Sequence, residues 1–138
     1  IEEVENEYFD LVTALAVLEH LDEPIKLFEN AYKNLKKNAL LIATCPSPFW
    51  DNISGKLKLH EDDFHAFDFT KNVFEKLAKE TGFEVVEYRR FMSAPIGFAP
   101  YLKIQVRPSF SHIIDLFVRK LKIFNFIFVN QIFVARKK

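Results

Sequence analysis

Apolar residues along this chain recur at two spacings, and the alternation between them outlines an α/β protein. Tyr8 to Leu15 reads YFDLVTAL, a nearly unbroken apolar run that predicts a strand buried on both faces. Asp22, Glu23 and Pro24 then mark a helix start, with carboxylates near the positive end of the helix dipole and proline in the first turn. Leu27, Phe28, Ala31, Tyr32 and Leu35 follow at helical spacing, with Lys36 and Lys37 suited to the C-terminal end. Leu40 to Cys45 predicts a second buried strand, stopped by Pro46 and Pro48. Phe49 to Phe69 shows no period and reads as a long loop, with room for one short helical turn; such loops are often functional.

Thr70 is an N-cap candidate for a helix with Val73, Phe74, Leu77 and Ala78 on its inner face, ended by Gly82. Phe83 to Phe91 predicts a third strand whose partial alternation places it nearer the sheet edge. Met92 to Pro108 reads as irregular. Beyond it, Phe110, Ile113, Ile114, Phe117, Leu121 and Phe124 share one helical face, and Asp115, Arg119, Lys120 and Lys122 the other. Ile127 to Lys138 closes the chain as a strand with a basic tail. The order strand, helix, strand, loop, helix, strand, helix, strand predicts one sheet with helices on its faces.

Composition narrows the functional classes. The 19 basic and 19 acidic residues cancel, which argues against a nucleic-acid partner. The single cysteine, Cys45, cannot form an intrachain disulfide; it fits a cytoplasmic setting and reads as a buried structural thiol. The longest uncharged stretches, Asn38 to Trp50 and Ile123 to Ala135, are too short to span a bilayer as helices, and no secretory leader opens the chain. The start at Ile1 suggests a fragment or a trimmed product.

FDLVTALAVLEHLDEPIKLFENAYKNLKKNALLIATCP resembles the central part of class I S-adenosylmethionine-dependent methyltransferases, especially the group that includes quinone-pathway enzymes. The resemblance rests on Phe9 to Val12, the turn Val17 to Leu21, Glu23-Pro24, Leu35-Lys36 and Leu40 to Pro46. It extends to Gly82–Tyr88 and to the final IFVARKK, and is weakest over Phe49 to His65 and Met92 to Phe124. It implies a Rossmann-like sheet of which residues 1–138 supply the C-terminal part: strands four to seven, the last inserted antiparallel beside the fifth. It also implies a cofactor, S-adenosylmethionine, and a small-molecule acceptor, which the phenylalanine-rich acceptor side suggests is apolar or aromatic.

The chain departs from the family upstream. None of its three glycines, Gly55, Gly82 and Gly97, opens the strand-to-helix turn that lets a backbone approach the cofactor. The implied cofactor site is therefore incomplete, and the chain alone is expected to be inactive. The first strand should also expose an apolar edge, open to self-association or to a partner. A noncatalytic module pairing through that edge is the rival reading.

The resemblance places Thr13, Ala14 and Leu15 against the methionine side of the cofactor, with ordinary strand core as the alternative. Glu19 and His20 match part of a metal-binding arrangement found in some relatives, but Ala16 stands where its first glutamate would be, so no metal is expected. His20 then borders the acceptor side or caps its turn. His60 to Asp68, HEDDFHAFD, is read as a substrate-facing or solvated loop, with His60 on the acceptor side and His65 as a possible general base. Trp50, with Phe49, covers a substrate or packs locally. The segment from Arg107 to Phe124 is expected to cover the sheet and shape the acceptor pocket; lying on a membrane surface is the alternative.

Overall fold

The computed structural model describes residues 7–57, 68–120 and 125–138. Its elements run β1 (Phe9–Leu15), α1 (Pro24–Asn34), β2 (Leu35–Pro46), α2 (Pro48–Lys56), α3 (Lys71–Thr81), β3 (Phe83–Ser93), α4 (Ala94–Phe98), α5 (Pro108–Lys120) and β4 (Phe128–Lys137). The strands form one sheet in the order β1-β2-β4-β3. β1 pairs with β2 in parallel. β4 runs antiparallel to β2: the start of β2 meets the end of β4 where Lys137 Nζ bonds the Leu35 carbonyl, and Ser47, just past β2, donates its amide to Val129. The last strand thus lies inside the sheet beside the second, and β3 takes the edge expected of it.

The chain forms two compact units. Of the described residues, the first holds 7–45, 68–89 and 132–138, and the second 46–57, 90–120 and 125–131.

The first unit is built on phenylalanine. Phe28 and Ala31 of α1, Phe74, Leu77 and Ala78 of α3, and Leu41, Ala43, Phe83, Phe133 and Ala135 from the strands share one buried core. Phe74 stacks on Phe133 with ring centres 4.8 Å apart, and Phe28 meets Phe83 edge-on at 6.2 Å. Full burial of one such ring contributes roughly 2–3 kcal/mol, so this cluster dominates the unit. The ends of α3 follow from sequence: Thr70 Oγ1 accepts the Val73 amide, and Gly82 adopts φ +88°, the left-handed conformation that closes a helix.

Four expectations are corrected. β1 is not buried on both faces; it is an edge strand whose Leu11 and Leu15 are exposed, the open apolar edge the departure from the family implied. α1 ends at Asn34, so Lys36 pairs with Asp10 (2.9 Å) instead of the helix end. The β1–β2 register jumps from Phe9↔Leu35 to Leu11↔Leu40, and the intervening residues turn through Asn38 at φ +66°. Asparagine tolerates that conformation better than most side chains.

The segment after Pro46 is not simply loop. Ser47 and Pro48 start α2, and Ser93, Ala94 and Pro95 start α4 within the stretch read as irregular. Proline in a first helical turn sacrifices no hydrogen bond, so the same residues that suggested a break open a helix.

The fourth correction concerns α5, in the second unit. Its half-buried stripe is Ser111, Ile114, Asp115, Val118 and Arg119. Phe110, Ile113 and Phe117, expected to cover the sheet, are exposed. The docking is polar: the Asp115 carboxylate accepts the amides of Met92 (2.7 Å) and Ser93 (2.9 Å), and Arg119 donates to the Arg90 carbonyl (2.9 Å) with its guanidinium over the Phe128 ring. In the same unit, a Cβ on Gly97 would come within 2.6 Å of Val129 Cγ2, so only glycine permits this approach.

Candidate functional site

Because β1 and β2 are parallel, their carboxyl ends lie together, with Leu15 paired to Thr44. In open α/β sheets this edge is where ligands bind. The chain leaves β1 through Ala16, whose amide donates to both the carbonyl (3.0 Å) and Oγ1 (3.2 Å) of Thr44. Ala16 stands at φ +51°, a conformation that costs an L-residue roughly 1–2 kcal/mol. Such strain persists where surrounding contacts impose it, and it gathers at ligand sites. Here the two hydrogen bonds that the Ala16 amide donates to Thr44 hold the turn. A single 3-10 turn, Leu18–His20, then carries the chain towards α1.

The residues singled out from sequence fall in different places. Ala14 is buried, its methyl group in the core, whereas Thr13 and Leu15 are exposed on the opposite side of the strand. Ala14 can therefore offer a ligand its backbone but not its side chain. Within the 3-10 turn Glu19 is turned inward, 4% exposed, and His20 outward. Adjacent ligand types facing apart do not make a chelate, and no group of three His, Cys, Asp or Glu side chains comes together among the described residues. Cys45 is buried and free of disulfide.

Trp50 belongs to the second unit. Its Nε1 donates to the Phe126 carbonyl, and its ring packs against Phe49 and Phe98 at 5.4 and 5.5 Å. It is engaged in local packing. His60 and His65 lie outside the described residues.

Sequence reasoning missed Ala16 and Thr44. Nothing in an Ala-Val pair signals a left-handed turn, and a threonine inside an apolar strand looks like filler. A groove of about 600 Å³ also runs between β1 and α1, with Phe9, Val12, Leu21, Leu27 and Ala31 along it. On its rim Glu23 bonds the Lys26 ammonium and holds that group's pKa above the ordinary lysine value.

The family model described as a methyltransferase domain matches residues 1–88. No curated protein matches the chain. Among solved structures, a SAM-dependent methyltransferase from Archaeoglobus fulgidus superposes with TM-score 0.67 at 18% identity, over 99% of this chain and 62% of that one. A SAM-dependent methyltransferase from Thermotoga maritima, described as a possible histamine N-methyltransferase, gives 0.65 at 17% identity, over 100% and 60%. A Haemonchus contortus phosphoethanolamine N-methyltransferase, solved with S-adenosylhomocysteine, gives 0.55 at 19% identity, over 99% and 35%. The chain spans less than two thirds of the length of each, and at these identities the likeness establishes the fold.

Proposed function

The chain belongs to the methyltransferase domain family, and we propose on that footing that its protein carries a methyl group from S-adenosylmethionine to a small-molecule acceptor. The observation that supports this reading best is the pair of parallel strand ends, where exposed Thr13 and Leu15 and the strained Ala16 border the edge at which this fold binds ligands.

The residues present fit one wall of a cofactor site. Thr13, Leu15 and the backbone of Ala14 would meet the methionine side. Gly55 lies within α2, Gly82 follows α3 and Gly97 lies within α4, so none opens a helix directly after a strand. On this reading the chain is a partial methyltransferase domain, without the glycine-rich turn, and does not methylate alone. When bound, the cofactor supplies an electrophilic sulfonium methyl group. The task of this chain is to hold and orient, which by itself accounts for much of the rate of an in-line transfer. His20 and His60 are assigned to the acceptor side and His65 to proton removal where the acceptor requires it, while Trp50 is left to its local packing.

Calorimetric titration of S-adenosylmethionine tests both halves of this reading. The folded 138-residue chain is expected to show no micromolar binding, and the full gene product to show it, weakened about tenfold by Leu15→Lys through steric and charge conflict. Micromolar binding by the chain alone would overturn the incomplete site. Absence of binding by the full gene product would overturn methyl transfer.

A second reading is favoured by one observation, the open edge of β1 with Leu11 and Leu15 exposed. A noncatalytic module would pair through that edge with a partner or with itself. Sedimentation equilibrium separates the two: a dimer of the chain that Leu11→Lys dissociates supports the module.

A further inference from the structure

The outward face of α5 has the chemistry of a surface meant for something other than water. Phe110, Ile113, Leu116 and Phe117 are 57, 61, 53 and 65% exposed, while the helix is anchored through the opposite stripe. Tyr101, Leu102 and Ile104, in the turn that leads to α5, are exposed as well. Between residues 104–107 and the first turns of α5 lies a groove of about 500 Å³. Monomeric proteins rarely leave contiguous apolar area of this kind open unless it binds something.

Charge identifies the occupant. Across the whole chain acidic and basic residues balance, but the described residues of the second unit do not. Lys56, Arg90, Lys103, Arg107, Arg119 and Lys120 stand there against Asp51 and Asp115. The Asp115 carboxylate is already engaged by two backbone amides. Lys103, Arg107 and Lys120 are exposed, in the same stretch as the apolar side chains. We propose that α5 with residues 101–107 is a docking surface for an anionic lipid bilayer. The aromatic and aliphatic side chains enter the headgroup boundary while the cations meet lipid phosphates.

A second copy of the chain fits less well, because self-pairing through this face brings Lys103, Arg107 and Lys120 against their own counterparts. A soluble polyanion fits less well too, since it would satisfy the cations and leave Ile113, Leu116 and Phe117 in water. The docking is peripheral: among the described residues no helix is long and apolar enough to cross a membrane. The proposal is independent of methyl transfer.

The test is co-sedimentation of the 138-residue chain with vesicles, either of phosphatidylcholine alone or of phosphatidylcholine mixed equally with phosphatidylglycerol. The expected result is pelleting with the mixed vesicles at low salt, little with the neutral ones, and release as salt screens the charge. The triple variant Lys103→Gln, Arg107→Gln, Lys120→Gln should lower partitioning by roughly a hundredfold. Phe110→Ser with Phe117→Ser should abolish it while the far-ultraviolet dichroism is unchanged. Equal pelleting with both vesicle types, or none with either, would overturn the proposal without recourse to any variant. So would a lipid-free dimer, seen by sedimentation equilibrium, that the phenylalanine variant dissociates.

Discussion

Asp115 and Ser93 are joined by a carboxylate-to-amide hydrogen bond of 2.9 Å, and the same carboxylate takes the neighbouring Met92 amide at 2.7 Å. Met92 stands at φ +59°, so the clasp holds the chain in a left-handed kink where β3 gives way to α4. One side chain thereby both fixes a strained turn and anchors α5.

Removing that carboxylate should loosen the second unit. Hydrogen bonds to a charged acceptor contribute about 1.5–3 kcal/mol each, and their loss leaves amides without a partner. Asp115→Ala is expected to cost at least about 2 kcal/mol, read as faster hydrogen exchange at the Met92 and Ser93 amides. Unchanged protection at both positions would show that the clasp does not hold the turn.

Lys137 is a buried cation with a structural role. Its side chain is 8% exposed, its Nζ bonds the Leu35 carbonyl (2.7 Å) and Glu7 (3.1 Å), and it lies 4.9 Å from the Tyr32 ring centre. Lys137→Met keeps the stem and strands the Leu35 carbonyl, which should cost about 1–3 kcal/mol in urea unfolding. Lys138→Met, at an exposed site, should change stability by less than about 0.5 kcal/mol. Equal effects from the two would remove the assigned role.

Two left-handed positions should respond oppositely to substitution. Gly82→Ala places a Cβ 3.3 Å from the Tyr32 ring at φ +88°, and is expected to destabilise by about 1–2 kcal/mol. Ala16→Gly relieves a left-handed alanine and should stabilise by up to about 1 kcal/mol. Thermal unfolding of both variants reads the signs; a drop in midpoint for Ala16→Gly would mean the turn is not strained.

The core and the edge should differ as sharply. Phe133→Ala removes the ring stacked on Phe74 and should cost about 3–5 kcal/mol. Val86→Ala, on an exposed stretch of the edge strand β3, should cost less than about 1 kcal/mol. Denaturant midpoints check the ranking.

Local rules carried the sequence reading where a signal sits in one short segment. The N-cap at Thr70, the stop at Gly82, the strand Leu40 to Cys45 and the turn from Val17 to Leu21 each have that character. They were enough to indicate the α/β class, because strand and helix periods and capping are properties of neighbouring residues; the likeness to methyltransferases rests instead on the residue pattern from Phe9 to Pro46. The helix α2 was foreseen only as room for a short turn and α4 was missed, because a proline permits a break and a helix start equally well. Which one forms depends on what the helix packs against.

Two further features belonged to tertiary structure alone. Ala16 adopts its left-handed turn because Thr44, on the adjacent strand, takes its amide twice. The periodicity of α5 disclosed two faces, one apolar and one charged, and the hydrophobic effect alone would bury the apolar one. The fold instead presents the kinked Met92–Ser93 backbone and the Arg90 carbonyl to the helix, groups that demand Asp115 and Arg119. From its sequence this protein has its elements, its order and its family. Its tertiary structure decided which side of α5 faces inward, because the Met92 and Ser93 amides and the Arg90 carbonyl, far away in sequence, bond to Asp115 and Arg119 of the polar stripe.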